Sequence, residues 1–567
     1  MDKKKTILFA LGILIIAVVT IIIFVDSLKL TNLLNRAKPI EGNDAIVEEQ
    51  NIYGFDDARW WDHAVFYDVF VRSYNDSDGD GIGDIKGLTA KLDYLNDGDS
   101  STNSDLGITA IWLMPIFPSP SYHGYDVTDY YSINPDYGTM DEFNEFLNEA
   151  HKRGIHVILD FVINHTSVEH PWFVNAVDVN SQYHDWYIWS ETDPDYKGPW
   201  GEDVWYPANN LFYYGVFWQG MPDLNYKNTE VTNEIHKAAS YWINDIGVDG
   251  FRIDGARHLI EDGKIQANTK DTLTWFQAFF DLYKGWNPKV MTVGEVWDSS
   301  KNITSYLKTE SFDMVFNFDL AADIVSMVKS GQANSLGSSI TTESYLFQDY
   351  SMGTFLTNHD MNRVMSEFNN NQELAKNAVT ILLTIPGTPF IYYGEEIGMT
   401  GVKPDEKIRT PMQWSSEETA GFTTGVPWQS INANFETANV AKETIDPNSI
   451  LSHYRDLIRI RLSNPALLDG KFTKINASSP QLFVGMRIVG SEVVLIIVNL
   501  GDKEVVNPSF SLKQGIEAGQ YNLDFLLGDK KNLEEVALQQ AGEKVEFTLP
   551  IVLSPHENVI IRFLPSN

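Results

Sequence analysis

Short apolar runs alternate with helix-like segments through most of this chain. Eight of these runs have the length and composition of buried strands, and they cover residues 64–74, 108–117, 156–165, 248–258, 290–297, 312–319, 352–360 and 388–398. The connections carry helical periodicity, as in 140–153 and 230–246. Continuous apolar strands separated by helices are typical of a parallel sheet that is covered by helices. Eight such units predict an α/β fold, a closed (β/α)8 TIM barrel.

Two segments depart from this repeat. Residues 166–222 separate the third and fourth predicted strands, are dense in aromatic side chains, and predict a small inserted domain over the barrel mouth. Residues 399–450 follow the eighth strand as a long loop. Beyond residue 470 apolar and polar positions alternate without helical periodicity, which predicts a C-terminal all-β sandwich.

The N-terminus has the pattern of a membrane segment. Lys3, Lys4 and Lys5 precede the uncharged run 6–25, whose length at about 1.5 Å per residue matches a bilayer core of about 30 Å. Because lysines stay on the cytoplasmic side, we predict a single-pass transmembrane anchor to the cell membrane, with an extracellular catalytic domain. The alternative is a signal peptide that is cleaved near residue 25 to give a secreted protein.

These patterns divide the chain into six segments. The predicted boundaries are 1–25 for the anchor or signal segment, 26–56 for a linker, 57–165 and 223–469 for the two parts of the barrel, 166–222 for the inserted domain, and 470–567 for the sandwich.

Composition excludes several classes of function. The chain has 42 basic and 77 acidic residues and a formal net charge of −35, so nucleic acid would be repelled as a principal partner. The absence of cysteine excludes disulfides, zinc–thiolate sites and iron–sulfur clusters. Aromatic residues make up 13% of the chain, and their rings can stack on sugars as well as pack in a core.

Several predicted strands end in ionisable or amide side chains: Asp160, Asn164, His165, Arg252, Asp254, Glu295, His359 and Asp360. Any one of them could be a structural cap. Polar residues that recur at the same end of a barrel, however, are characteristic of a TIM-barrel active site. Carboxylates accompanied by histidines and an arginine favour cleavage of glycosidic bonds, because that reaction uses a pair of carboxylates.

The segments DFVINH (160–165), GFRIDGARH (250–258), VGEVW (293–297), FLTNHD (355–360) and MPDLN (221–225) carry a resemblance. In order and spacing they resemble the five signature regions of the α-amylase family, glycoside hydrolase family 13. The resemblance runs from about residue 57 to the end of the chain.

The resemblance implies roles for the strand-end residues. Asp254 corresponds to the nucleophile that forms a covalent glycosyl-enzyme, Glu295 to the general acid/base, and Asp360 to the carboxylate that stabilises the transition state. Glu295 has to hold its proton near neutral pH, so its pKa is expected to be raised. A gap of about 5–5.5 Å between nucleophile and acid would give retention of configuration. Arg252, beside the nucleophile, and Arg363 are also expected to contact substrate.

Further sugar contacts follow from the same resemblance. His165 and His359 resemble the imidazoles that hydrogen-bond the sugar at the cleaved bond, and Tyr125, in the segment HGYD, resembles the tyrosine that stacks on it. Arg257 and His258 match a Lys-His pair that contacts sugar on the leaving-group side in typical α-amylases. Arginine in place of lysine is a departure from that pattern.

A second motif, DSDGDGIGD (76–84), follows the first strand. Carboxylates that alternate with small residues allow a loop to wrap a hard cation, and Gly87 at the twelfth position excludes an EF-hand. The motif resembles the calcium loop of the oligo-1,6-glucosidase branch, which implies a structural Ca²⁺; the alternative is an acidic turn without metal. The implied ligands are the side chains of Asp76, Asp78, Asp80 and Asp84 and the carbonyl of Ile82.

The motifs are mixed between branches of the family. The calcium loop resembles the corresponding loop of oligo-1,6-glucosidases. The segment MPDLN resembles that region of neopullulanases, and GFRIDGARH resembles that region of α-amylases. This combination is found in an intermediate group of extracellular bacterial α-amylases. We therefore expect a monomeric, retaining, endo-acting α-amylase that hydrolyses α-1,4 bonds of starch and maltodextrins.

Other activities stay open. Within the family the alternatives are neopullulanase or cyclomaltodextrinase, oligo-1,6-glucosidase and glucosyltransferase activity, because loop shape decides among them. A non-enzymatic alternative is a membrane-anchored, amylase-like accessory subunit of a transporter. Such subunits have typically lost the catalytic residues, whereas Asp254, Glu295 and Asp360 are present.

Overall fold

The computed structural model describes residues 58–333, 335–348, 351–528 and 533–566. The predicted anchor or signal segment 1–25 and the linker 26–56 lie outside these residues. Within the part of the chain that is described, no helix combines the length and apolarity needed to cross a membrane.

Eight parallel strands close into a barrel, which confirms the fold predicted from the apolar pattern. The first strand pairs with both the second and the eighth, and this pairing completes the ring. The strands are Phe66–Val69, Ala110–Leu113, His156–Phe161, Gly250–Ile253, Met291–Gly294, Met314–Phe316, Ser351–Thr354 and Thr388–Tyr392. Each is buried along its length but shorter than the apolar run that predicted it. Most of the strand-end polar residues therefore lie in the loops that follow the strands.

Helices connect the strands and form the outer layer. The helix Met140–Lys152 begins at a capping box, in which the Glu142 amide donates to Thr139 Oγ1 and the Thr139 amide donates to the Glu142 carboxylate. The helices of the barrel region, apart from short 3₁₀ turns, are Ile85–Thr89, Leu92–Leu95, Met140–Lys152, Thr229–Ser240 continued by a π-helix Tyr241–Ile246, Lys270–Trp286, Ser300–Lys308, Phe318–Ser330, Leu336–Leu346, Val364–Glu367, Gln372–Thr384, Asp405–Ile408, Val440–Thr444, Ile450–Ser463 and Pro465–Leu468.

Aromatic side chains fill the inside of the barrel. Phe66 and Phe390 stack with ring centroids 4.3 Å apart, and Trp112 and Phe316 lie 5.5 Å apart across the interior. These rings belong to one buried cluster with Phe318, which follows the sixth strand. Because this core is closed, the polar side chains at the strand ends form a site on top of it and not a channel through it.

The inserted domain follows the third strand. It contains the helix Pro171–Ala176 and a small antiparallel sheet of Trp189–Ser190, Leu211–Tyr214 and Trp205–Ala208. Asp223 anchors its return to the barrel, since its carboxylate accepts hydrogen bonds from the Val216 amide at 3.0 Å and from Asn164 Nδ2 at 3.1 Å.

The C-terminal region is all-β, and it confirms the predicted sandwich. Its strands are Lys471–Lys474, Asn476–Ala477, Leu482–Val489, Glu492–Asn499, Val505–Val506, Ser509–Leu512, Gly519–Leu527, Glu535–Ala541, Lys544–Thr548, Val552–Leu553 and Asn558–Pro565. Alternate residues fill a separate core, while Phe483, Val494 and Ile496 pack into the core of the barrel. Buried Arg487 donates to the Thr384 and Gly470 carbonyls at 2.9 and 2.8 Å. The sandwich and the barrel therefore share a packed boundary.

Candidate active site

The carboxyl ends of the third, fourth and fifth strands meet at one guanidinium. Asp160 and Arg252 are paired residues on neighbouring strands, and Arg252 Nη1 donates to Asp160 Oδ1 at 2.8 Å. The same nitrogen donates to Asp254 Oδ1 at 2.6 Å, and Nη2 donates to Glu295 Oε2 at 2.7 Å. Arg252 is only 1% exposed. One buried arginine thus holds three carboxylates beside each other.

The environment of Glu295 favours its protonated form. Burial raises the pKa of this carboxyl, Arg252 opposes that shift, and the nearby Asp254 and Asp360 add to it. The Gly255 amide donates to Glu295 Oε2 at 3.0 Å and fixes its direction. The raised pKa has the direction expected of a general acid.

His359 is buried between two carboxylates. Its Nδ1 lies 3.4 Å from Asp68 Oδ2 and its Nε2 lies 3.1 Å from Asp360 Oδ2. Burial alone would lower the pKa of His359, but Asp360 and then Asp68 outweigh burial and raise it to about 10. The imidazole is therefore a cation at neutral pH. Its Nε2 is also 2.7 Å from the Tyr125 hydroxyl, which donates to Asp160 Oδ2 at 3.0 Å.

This cation gives a pH-dependent stability that can be measured. The folded-state pKa of His359 lies above the unfolded value of about 6.5, so its contribution is complete below that pH and is lost as pH rises through about 10. We expect His359→Asn to lower the free energy of unfolding by about 3 kcal/mol at pH 6, since it leaves buried Asp68 without its ion-pair partner and Asp360 paired only with Arg409. Urea unfolding of both proteins should show this deficit shrinking between pH 7 and 10.

His453 provides the control. Burial lowers the pKa of this histidine to about 4, so it is neutral in both folded and unfolded chains throughout the alkaline range. His453→Asn should therefore give a deficit that stays constant from pH 7.5 to 10. A constant deficit for His359→Asn as well would contradict an imidazolium at that position.

Arg409 completes the group, and the sequence patterns did not identify it. Its Nη2 donates to Asp360 Oδ1 at 2.8 Å and its Nε donates to the His359 carbonyl at 3.0 Å, and the residue is 3% exposed. Burial opposes ionisation of Asp360, but His359 and then Arg409 hold the pKa of that carboxyl well below its usual range. Asp68 was also missed, although a carboxylate within the apolar first strand was a usable signal.

The remaining predicted sugar contacts occupy different places. His165 lies under Tyr125, with Nε2 3.1 Å from the Tyr125 carbonyl, and burial lowers its pKa to about 4. Arg257 and His258 lie beside the loop that carries Glu295. Arg363 lies outside this group, because it donates to the Ile408 and Tyr393 carbonyls at 2.8 and 2.6 Å. The arginine that contacts Asp360 is Arg409.

Comparison with known proteins identifies the family of this chain. The family model described as the alpha-amylase catalytic domain matches residues 68–470 of this chain. The chain belongs to the alpha-amylase family. Alpha-amylase 3 of Dictyoglomus thermophilum is 41% identical in an alignment 456 residues long that covers 79% of this chain and 87% of that protein. The probable oligo-1,6-glucosidase 2 of Bacillus subtilis is 34% identical in an alignment 523 residues long that covers 79% of this chain and 91% of that protein.

A solved structure supports the same family assignment. The crystal structure of an alpha-amylase from H. orenii has a TM-score of 0.78 and 40% identity, and the match covers 88% of this chain and 99% of that one. As a member of the alpha-amylase family, this chain is an enzyme, a glycoside hydrolase.

The acidic loop of this family member contacts the long loop after the eighth strand, where the Thr423 hydroxyl donates to Asp76. Carboxylate oxygens of Asp76, Asp78 and Asp84 lie within 4.8 Å of one another. The Asp80 carboxylate is outside this group and accepts from the Ile82 amide at 2.7 Å. The other three carboxylates also accept hydrogen bonds from backbone amides of the chain around them. Three convergent carboxylates suit an oxygen-loving cation such as Ca²⁺. The loop also supports local structure, since Asp84 caps the helix Ile85–Thr89.

Proposed function

We propose that this chain is an endo-acting α-amylase that hydrolyses α-1,4-glucosidic bonds of starch and maltodextrins outside the cell through a covalent glycosyl-enzyme. The observation that carries the proposal is the fork of Arg252, which places Asp254 and Glu295 on adjacent nitrogens of one group. The 41% identity to a protein named alpha-amylase, against 34% to a probable oligo-1,6-glucosidase, supports the α-1,4 assignment.

In the first step Asp254 attacks the anomeric carbon. Its Oδ1 accepts from Arg252, which leaves Oδ2 to form the new bond. As the bond from the anomeric carbon to the leaving chain breaks, Glu295 gives its proton to the departing oxygen. Asp360, kept ionised by His359 and Arg409, provides negative charge next to the positive charge that develops on the sugar.

In the second step a water molecule replaces the leaving chain. Glu295, now a carboxylate, takes a proton from this water, whose oxygen bonds to the anomeric carbon while the ester bond to Asp254 breaks. Two successive inversions return the original configuration, and Glu295 regains its proton. Cleavage of an internal bond requires a cleft that is open at both ends, and the proposal of an endo-acting enzyme includes such a cleft.

Parallel digests of the region 57–567 test the substrate. Soluble starch, pullulan, cyclodextrin and isomaltose are each incubated with the protein, and product length is followed with time. Mixed oligosaccharides that appear early from starch support an endo-acting α-amylase. Preferred attack on pullulan or cyclodextrin would identify a neopullulanase or cyclomaltodextrinase. Release of glucose from isomaltose would identify an oligo-1,6-glucosidase. Products that are mostly longer than the substrate would identify a glucosyltransferase.

The accessory-subunit alternative makes a different prediction. It requires a chain without turnover on any of these substrates. The arrangement of Asp254, Glu295 and Asp360 with their cationic partners argues against this alternative. Clusters of interacting charged groups that are partly removed from water are characteristic of catalytic sites.

We further propose that residues 76–84 hold a structural Ca²⁺ through Asp76, Asp78 and Asp84, with Asp80 and the Ile82 carbonyl as additional ligands. A cation that binds only the folded chain stabilises it, so a chelator should lower the melting temperature by several degrees and added Ca²⁺ should restore it. Asp78→Asn should remove most of this response. Asp99→Asn, in a different acidic loop, should keep it, and a melting temperature indifferent to the chelator would contradict the site.

For the full chain we propose membrane attachment through residues 6–25, with the barrel outside the cell and a monomeric state. The apolar run supports this topology. Cell fractionation should place activity in the membrane fraction and leave it accessible to external protease. Activity released into the medium would instead indicate cleavage of the segment, and size-exclusion chromatography of 57–567 tests the monomer.

A further inference from the structure

Two buried glutamates follow the eighth strand in a short turn. Glu395 and Glu396 are 3% and 0% exposed. The Tyr454 hydroxyl donates to Glu395 Oε1 at 2.6 Å. Glu396 Oε1 accepts from the hydroxyls of Tyr67 and Tyr94, both at 2.7 Å. The second oxygen of each carboxyl, Oε2, has no hydrogen-bond partner in the part of the chain that the structure describes. Each carboxyl therefore has donors for one oxygen only, which favours its uncharged form.

Glu443 is a third carboxyl of the same kind, and the three are called the glutamate cluster below. It lies buried in the helix Val440–Thr444. Its Oε2 accepts from the Leu451 amide at 3.2 Å, while Oε1 has no partner among the described residues. Burial raises the pKa of Glu395 and of Glu443 to about 8, and repulsion from Glu396 adds to both shifts. Burial also raises the pKa of Glu396. At neutral pH the cluster is therefore largely uncharged.

Other ionisable groups surround the cluster. Those that face it are four tyrosines and four charged side chains: Tyr67, Tyr74, Tyr94, Tyr454, Arg363, Arg455, Lys376 and Asp446. Burial raises the pKa of each tyrosine well above its usual value, so these hydroxyls stay uncharged. The cluster therefore gains negative charge between pH 6 and 9, while the tyrosines around it do not.

Arg363 connects the cluster to the active site. This buried residue faces Glu395 across the turn. Its Nε donates to the Ile408 carbonyl at 2.8 Å, while its Nη2 has no hydrogen-bond partner within the described residues. Ile408 precedes Arg409, whose Nη2 donates to Asp360 at 2.8 Å. Arg363 therefore holds the backbone that carries the arginine partner of Asp360.

We propose that the glutamate cluster is a proton-dependent switch that positions Arg409 against Asp360 through Arg363. While the carboxyls are uncharged, Arg363 binds the Ile408 carbonyl. When a carboxyl of the cluster releases its proton to solvent, its free oxygen attracts the free nitrogen of Arg363, and the guanidinium turns away from Ile408. The loop after the eighth strand then loosens, and Asp360 keeps only His359 as a cationic partner. The proposal rests on the glycosidase function above and adds control of that site by pH.

The pH dependence of one substrate tests the switch. α-Maltosyl fluoride needs no general acid in its first step, so its kcat/KM does not require the proton of Glu295. We expect this kcat/KM to fall about tenfold between pH 7 and 9, as a carboxyl with a pKa of about 8 loses most of its proton. Glu395→Gln keeps an oxygen for Tyr454 but does not ionise, and it should reduce the fall to about threefold. Adding Glu443→Gln should remove the fall.

Thermal stability tests the proton without any substrate. The folded-state pKa of Glu395 lies above the unfolded value of about 4.3, so its contribution to stability is complete below that pH and is lost as pH rises through about 8. Glu395→Gln has no such loss. The melting temperature of the variant should therefore rise relative to that of the unaltered protein by several degrees between pH 5 and 8.

Arg363→Lys tests the connection to the site. An ammonium keeps the charge but does not reproduce the guanidinium that stacks on Tyr392 and Tyr393 and reaches Ile408. We expect its kcat/KM for the fluoride to be about tenfold lower at pH 6 and to change little from there to pH 9. Glu417→Gln is the control, because Glu417 is exposed in the same loop, and it should keep the unaltered pH profile.

Each result decides one part of the proposal. In the unaltered protein, a kcat/KM for the fluoride that stays constant from pH 6 to 9 would overturn the switch, whereas absence of turnover would contradict the glycosidase function. An undiminished fall for Glu395→Gln, or a melting-temperature difference that does not vary with pH, would mean that Glu395 is not the group that titrates. An unaltered pH profile for Arg363→Lys would exclude Arg363 as the connection.

Discussion

Asp254→Asn is expected to lower kcat on soluble starch by at least about 10⁴-fold and to leave the fold intact. The amide oxygen of asparagine can still accept from Arg252 Nη1, so the hydrogen-bonded group keeps its shape. It cannot, however, form the ester with the anomeric carbon. Initial rates of reducing-sugar release measure the loss, and the melting temperature reports the fold.

A variant with a smaller side chain tests directly whether Asp254 is the nucleophile. In Asp254→Gly an added azide ion can occupy the space of the carboxylate and attack α-maltosyl fluoride, which requires no acid. The expected product is maltosyl azide of inverted configuration, which carbon-13 and proton spectra identify. Normal starch hydrolysis by either variant would show that Asp254 is not the nucleophile.

Arg252→Lys is expected to damage both stability and activity. Removing the fork leaves buried Asp160 and the partly buried Asp254 and Glu295 with one ammonium among them. Breaking a buried ion pair costs about 3–5 kcal/mol, and we expect a loss of this order in the free energy of unfolding. Activity should fall at least about 10³-fold, because nucleophile and acid lose their common support.

The control is an arginine that pairs at the surface. Arg562 donates to Asp524, and the two side chains are 35% and 40% exposed. Arg562→Lys should change stability by no more than about 1 kcal/mol. Denaturant midpoints of the two variants provide the comparison. Equal, small losses for both would mean that the buried network contributes little to the folded state.

The barrel and its catalytic carboxylates could be predicted because their signals are local. Each apolar run located a strand, and residues such as Asp160 and Glu295 lie at the end of their strand or just beyond it. Parallel strands bring their carboxyl ends to one side of a barrel, so adjacency in space followed from position along each run.

The position of Arg409, the partner of Asp68 and the hydrogen bonds of Arg257 could not be obtained in this way. Arg409 lies in the long loop after the eighth strand, where no periodicity indicates which way a side chain points. Asp68 is inside a strand, and its partner His359 comes from the seventh strand end. Arg257 fits a motif by position, but its hydrogen bonds depend on the neutral tautomer of His258, which sequence does not encode locally.

The pairing of the first strand with the eighth has a consequence for synthesis. Phe66 lies opposite Phe390, so one edge of the first strand has no partner until nearly the whole barrel has left the ribosome. An apolar strand edge that stays unpaired can associate with other chains. Ring closure over so long a stretch of chain is also slow, because it brings together residues far apart in sequence. The yield of native protein should therefore depend on how fast translation reaches the eighth strand and on the chaperones that cover the open edge.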